Sequence, residues 1–397
     1  MISFDGYETL VAASMVLVVG GLLVSRVKWL KYYSIPEPVV GGVIAALGLF
    51  VLQSSTGIGI QFDKALSTPL MLCFFASIGL NAEIASLRRG GKPLAKLVLI
   101  VVAFLFVQNI VGVSMAKMLG LDPLIGLIAG SITLTGGHGT GAAWGALFSE
   151  KYGLASATEL AMACATFGLV SGGLIGGPVA RFVSGRIRQR KGEQIDVLES
   201  TFEDPMRVRE INVPAMIETL ALFSICLLVG TRISTALHGS LLELPTFLCV
   251  LFVGVVLRNV LAWLGWYQVF DRCVSVLGNV ALALFLAMAM MAIQLGQMAS
   301  VAVPLLLILG VQTVAMAAWA IFVTFRAMGG NHDAMVIAAG HCGFGMGATP
   351  TAIANMQSVT DNTKPSHLAF LVVPMVGAFF VDLANAVVLK TFVAFLR

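Results

Sequence analysis

Apolar residues fill runs of about 20 positions along the whole chain, the length a helix needs to cross a hydrocarbon layer. Ten such runs predict ten crossings, at about 7–25, 36–52, 69–82, 97–117, 155–180, 213–231, 245–263, 274–296, 302–325 and 367–389. The third is short. None alternates polar and apolar positions as barrel strands do. Two stretches break the pattern. "LTGGHGTGAAW" (134–144) falls between the fourth and fifth runs, and "AAGHCGFGMGATPTAIANM" (338–356) between the ninth and tenth.

Composition agrees with a lipid-embedded, all-α protein: 58% of residues are hydrophobic and 11% charged. The N-terminal "MISFDGYE" has no basic residue before its first apolar run, so that run reads as a span rather than a cleaved signal. The six cysteines lack metal-site spacing and read as small buried apolar residues. The absence of a Walker A motif argues against direct ATP-driven pumping. No nucleophile, base and orienting acid cluster in sequence, so no enzyme is expected; nor are a cofactor, a metal beyond a coupling ion, or a nucleic-acid partner.

Charge placement sets the orientation. With both termini outside (periplasmic), eighteen of the 24 Lys and Arg fall on inward loops, including Arg88, Arg89, Arg186 and Arg258. The other six are Lys64, Lys117, Lys151, Arg232, Lys390 and Arg397. A full crossing at 125–149 would move the arginines of 181–209 outside, so this stretch is expected to enter and leave on one face, as a re-entrant hairpin.

An internal repeat extends the expectation to the second stretch. "IPEPVVGGVIA" (35–45) matches "LPTFLCVLFVG" (244–254), "VQNIVG" (107–112) matches "VQTVAM" (311–316), "TELA" (158–161) matches "SHLA" (366–369), and "GGHGTG" (136–141) matches "GHCGFG" (340–345). The matches keep one order and one offset of roughly 205 residues, as in the inverted repeats of secondary transporters. The division is residues 1–182 with a hairpin at about 125–149, a cytoplasmic linker at 183–212, and residues 213–397 with a hairpin at about 335–356.

Broken helices at membrane depth must be buried or line an aqueous cavity. Thr349 followed by Pro350 reads as a cap and first helical position, and Thr140 takes the capping role in the first hairpin. Two helix N-termini converging from opposite faces bind an anion without a basic side chain, and neither hairpin contains Lys or Arg. The carboxylate-binding candidates are Thr135, Gly136, Gly137, His138, Gly139, Thr140 and Gly141 in the first stretch. In the second they are Gly340, His341, Gly343, Gly345, Gly347, Thr349, Thr351 and Asn355. The alternative is that the glycines only permit close helix packing. The histidines fit substrate binding, proton shuttling or plain hydrogen bonding equally.

A charged acid near the centre of a span costs roughly 2.5–3.5 kcal/mol. Asp382, inside the tenth run, is the preferred cation ligand, with Asn385 nearly one turn on. Glu159 reads equally as ligand or interfacial residue, and Glu218 as structural. Asn81, Ser131 and Thr133 add neutral oxygens for sodium. Gln108, Asn109 and Gln312 recur at matching depth and suit either unwound backbone or substrate.

These residues carry a resemblance. In "YSIPEPVVGG", "ASIGLNA", "AGSITLTGGHGTGAAW", "GHCGFGMGATPTAIANMQ" and "AFLVVPMVGA" the chain resembles the sodium/glutamate symporter family of bacteria, from near the N-terminus to residue 390. The resemblance implies sodium-driven glutamate uptake across the inner membrane, two inverted five-helix halves, an elevator-type motion and a homodimer in lipid. A sodium- or proton-coupled carrier of another carboxylate, such as citrate or aspartate, is the rival reading.

Overall fold

The computed structural model describes residues 2–28, 30, 36–57, 59–63, 65–83, 85–154, 156–187, 210–238, 244–265, 267–291, 301–361 and 363–397. The heart of the expected linker, 188–209, the end of the eighth run and the first residues of "YSIPEPVVGG" lie outside them. The described chain is helical apart from one two-residue parallel pair, β1 (Ile2–Ser3) with β2 (Ile60–Gln61). Helices satisfy their own backbone polar groups, which lipid requires.

The first half carries α1 (Gly6–Arg26), α2 (Glu37–Thr56), α3 (Ser67–Asn81), α4 (Ala85–Met118), α5 (Pro123–Ile132), α6 (Gly137–Tyr152) and α7 (Ala157–Ser184). The second carries α8 (Val213–Leu237), α9 (Thr246–Leu264), α10 (Asp271–Met291), α11 (Ala302–Ala327), α12 (His332–Met346), α13 (Thr349–Thr360), α14 (His367–Met375) and α15 (Val381–Leu396). Local signals set the ends. Asp5 and Glu8 close a capping box on α1, and Gly57 ends α2 in the left-handed conformation. Three π-helical turns interrupt the pattern: Ile128–Ile132 in α5, Ala320–Thr324 in α11 and Val376–Phe380 between α14 and α15.

Among the described residues eight helices are long and apolar enough to cross a membrane: α1, α2, α4, α7, α8, α9, α10 and α11. The other two expected crossings differ in kind. The third is the 15-residue α3, and the tenth is divided into α14 and α15 by its π turn.

The helices pack as two groups. In one, α1, α2, α3, α8, α9 and α10 lie on one another; in the other, α4–α7 pack with α11–α15. The groups meet along α6. Gly139 faces Phe74 of α3 and Leu282 of α10, and Trp144 stands edge-on to Phe247 of α9 at 5.6 Å. A side chain at Gly139 would collide with the Phe74 ring, so the residue lets the groups approach closely.

Candidate functional site

The first broken helix forms where α5 loses its register. Gly130 leaves the helical region (φ −109°, ψ −136°) within the π turn. The chain folds back through residues 133–136, with Gly136 N–H donating to Ser131 O at 3.0 Å and Gly137 N–H to Thr133 O at 2.9 Å. Gly137 opens α6 at φ +70°, a conformation glycine adopts without strain. The helix therefore begins before Thr140, which lies in its first turn and packs its methyl group over Gly136 instead of capping. Gly141 rests against Thr133, Ala161 and Met162.

The second break is shorter than the sequence suggested. α12 runs through Gly340, Gly343 and Gly345 to Met346, and only Gly347 and Ala348 stand outside helix before α13. Ala348 holds the cap position, Thr349 is the first helical residue and Pro350 the second, one place later than expected. The glycines of α12 remain helical because each faces another element. Gly343 lies on the main chain of Ala352, Gly340 on Met356 and Val373, and Gly345 on the sulfur of Met316. All three are close-packing positions.

The tips meet. Thr135 Oγ1 donates to Gln108 Oε1 at 2.7 Å and lies 3.1 Å from Gly345 O. Gln108 Nε2 donates to the same carbonyl at 2.9 Å, and Gln312 Nε2 donates to Gln108 O at 2.7 Å. Gly137 adjoins Gly347 O. The starts of α6 and α13, each with first-turn N–H groups that no helical carbonyl reaches, thus lie on the two sides of one contact. Thr351 Oγ1, in the first turn of α13, is buried without a partner among the described residues. First-turn N–H groups at a helix start can attract an anion.

Beside the first tip a polar knot joins three elements. Ser131 Oγ donates to Asn385 Oδ1 at 2.6 Å, Asn385 Nδ2 donates to Ser131 O at 2.9 Å, and Ser131 N–H donates to Asn109 Oδ1 at 3.1 Å. All three side chains are buried.

The profile of the sodium/glutamate symporter family matches residues 2–365. The sodium/glutamate symporter of Escherichia coli (strain K12) is 58% identical over 393 residues, covering 99% of this chain and 98% of that protein. That of Haemophilus influenzae is 51% identical over 391 residues, covering 98% and 97%. The chain belongs to the sodium/glutamate symporter family. A solved sodium proton antiporter from Methanocaldococcus jannaschii aligns over 98% of this chain and 97% of its own, at 15% identity and a TM-score of 0.42.

In this family member the remaining candidates fall in several places. His138 Nε2 lies 3.1 Å from Thr166 Oγ1 on α7. His341 Nδ1 lies 2.8 Å from Thr324 Oγ1 in the α11 π turn; its ring stacks on Phe344 and meets Phe104 edge-on. Asn355 Nδ2 donates to Gly172 O at 2.9 Å and Ala339 O at 3.2 Å, tying both arms of the second hairpin to α7. Thr349 abuts Gly377 in the third π turn. Thr133 Oγ1 donates to Ile128 O at 2.6 Å.

Asp382 is the second residue after that third π turn, about one helical turn before Asn385, and no hydrogen bond or ion pair joins it to the described residues. Glu159 is placed elsewhere. Its neighbour Thr158 packs on Gly145, about 12 Å along α6 from the tip. Asn81 is also apart, at the end of α3, where its Nδ2 donates to Ser275 Oγ on α10 at 3.1 Å. Glu218 accepts from Tyr267 Oη at 2.6 Å, a structural contact between neighbouring elements.

Sequence reasoning passed over three residues. Thr166 and Thr324 hold the histidines, yet a lone threonine in an apolar helix carries no distinguishing signal. Arg258, counted among inward-loop cations, is buried in α9; its Nη1 lies 2.7 Å from Asp271 Oδ1 and its Nη2 3.6 Å from Glu83 Oε2. All six cysteines are free. Among the described residues no three His, Cys, Asp or Glu gather as a metal cluster.

Proposed function

We propose that this chain is a sodium/glutamate symporter that imports glutamate across the bacterial cytoplasmic membrane by alternating access. The observation that carries the reading is the contact of Thr135 with Gly345, which sets two helix N-termini against each other without a cation. Glutamate brings the anionic carboxylates such termini attract, and each terminus contributes roughly 0.3–2 kcal/mol to a nearby negative charge. The family's name supplies sodium and glutamate, and the relatives at 51–58% identity are named for the same pair.

In this reading α5–α6 and α12–α13 are re-entrant hairpins entering from opposite faces, and α3 and α14–α15 complete ten crossings. The halves are inverted repeats, and the same succession of helices in each supports this. The substrate lies between the first turns of α6 and α13, within reach of His138, Thr140, Thr349 and Thr351. Sodium sits near Ser131, Asn385 and Asp382. The two packing groups suit an elevator in which the hairpin group slides on the other along α6. The protein works as a homodimer in the inner membrane with periplasmic termini.

Energetics fix a lower limit on coupling. Moving one elementary charge through 100 mV is worth about 2.3 kcal/mol, so one sodium only cancels the single net charge of glutamate. Uptake that also draws on voltage needs more than one sodium. The test is labelled-glutamate uptake into proteoliposomes with a sodium gradient, a proton gradient or neither, with unlabelled citrate as competitor. Sodium-driven accumulation with inward current, insensitive to citrate, is expected. Accumulation driven by protons alone, or strong citrate competition, would overturn the assignment.

A further inference from the structure

Gln108 and Gln312 come from α4 and α11, which pack on each other, and both are fully buried. Gln108 uses both ends of its amide. A main-chain carbonyl can only accept, so the group facing Gly345 O must be the NH2, and this fixes the amide orientation. Its Oε1 is then left to face the first hairpin, where Thr135 donates to it. The Thr135 hydroxyl has one proton and two acceptors in range, Gln108 Oε1 and Gly345 O. Gln312 holds the Gln108 main chain in place from the other half.

This amide is continuous with the polar knot. Asn385 holds Ser131, Ser131 O accepts from Gly136 N–H, and the intervening turn carries Thr135. If one tip shifts alone, a buried donor or acceptor on the other loses its partner, which a buried site resists.

The geometry points to Gln108 as the positioning residue that couples the hairpins, so that sodium beside the first tip raises the affinity of both tips for glutamate. This role rests on the sodium–glutamate reading above. Such coupling is reciprocal: glutamate must strengthen sodium binding by the same factor.

Gln108→Glu and Gln108→Leu test it. A protonated glutamic acid copies the glutamine pattern, one oxygen accepting from Thr135 and one hydroxyl donating to Gly345 O. An ionised one presents only acceptors. Glutamate affinity is measured by calorimetry on the purified full-length protein, in sodium chloride and in choline chloride, from about pH 6 to about pH 9. His138, His341, Asp382, Lys390 and Arg326, the titratable groups on the surrounding elements, are common to all three proteins, so the wild-type profile carries their contribution.

Sodium is expected to tighten glutamate binding in the wild type, and Gln108→Leu to reduce that effect by about tenfold or more at every pH. Gln108→Glu, whose burial favours the neutral acid, should match the wild type at the acid end. A Gln108→Glu protein that shows the reduced Gln108→Leu effect at the acid end overturns the role, because the neutral acid keeps both hydrogen bonds. So does a Gln108→Leu protein with the full wild-type effect. A wild type with no sodium effect overturns the functional reading itself, and this role with it.

Discussion

Ser131 and Asn385 grip each other by both ends, the serine hydroxyl donating to the asparagine oxygen and the asparagine NH2 donating back to the serine carbonyl. The two residues are 254 positions apart in sequence and come from opposite halves of the chain. The pair pins α15 to the unwound end of α5. Asn385→Ala strands the buried Ser131 hydroxyl, which costs about 1–3 kcal/mol when unpaired, while the Ser131 carbonyl keeps Gly136 N–H. The sodium concentration for half-maximal uptake should rise by about tenfold, with maximal uptake much less affected. An unchanged sodium requirement would place the cation elsewhere.

Asp382 is held by no hydrogen bond to the described residues, so its replacement should not unfold the protein. Asp382→Asn is expected to lower uptake by about tenfold or more and to flatten its response to sodium, with a melting temperature within about 2 °C of the wild type. Uptake that still rises with sodium as before removes Asp382 from the cation site.

Gly343 lies against the main chain of Ala352, and a methyl group there forces the arms of the second hairpin apart. Gly343→Ala should destabilise the protein by about 1–3 kcal/mol, the usual cost of overpacking, as a fall in thermal midpoint in detergent. Gly48→Ala is the control. It also adds a methyl to a helix, but nothing lies within 4 Å of the new atom, and its midpoint should stay level or rise. Equal behaviour of the two variants would contradict the packing role.

Gly139 faces Phe74 across the boundary between the packing groups. On the proposed elevator motion the new methyl of Gly139→Ala obstructs sliding, so turnover should slow by about tenfold while glutamate affinity changes little. Adding Phe74→Ala makes room and should recover part of the rate. A loss of affinity larger than the loss of rate would place Gly139 within the binding pocket instead.

The helices were legible because lipid demands long apolar runs, and even the shortness of the third run reappears in α3. The glycine-rich stretches were legible as places where helices break, but the extent of the second break was not. Glycines that let chains touch and glycines that end a helix look alike in sequence, and Gly340, Gly343 and Gly345 lie inside α12, each against another element. The three π turns have no side-chain signature, so the shift of Asp382 and Thr324 onto their edges could not be read. Asn385 was chosen for its spacing from Asp382. Its partner Ser131 required the fold, because residues from different halves meet only in three dimensions.

The join between α3 and α4 is a short covalent link between the two packing groups. Asn259 donates to Ala82 O at 2.9 Å and Arg258 pairs with Glu83, so residues 82 and 83 are stapled to α9. The three residues between α3 and α4 span about 10 Å at full extension. Any longer excursion of α4 must swing at Gly91, where the helix is already bent at φ +58°. On the proposed elevator motion, so short a join would confine the hairpin group to an arc, with main-chain rotation at Gly91 as its hinge.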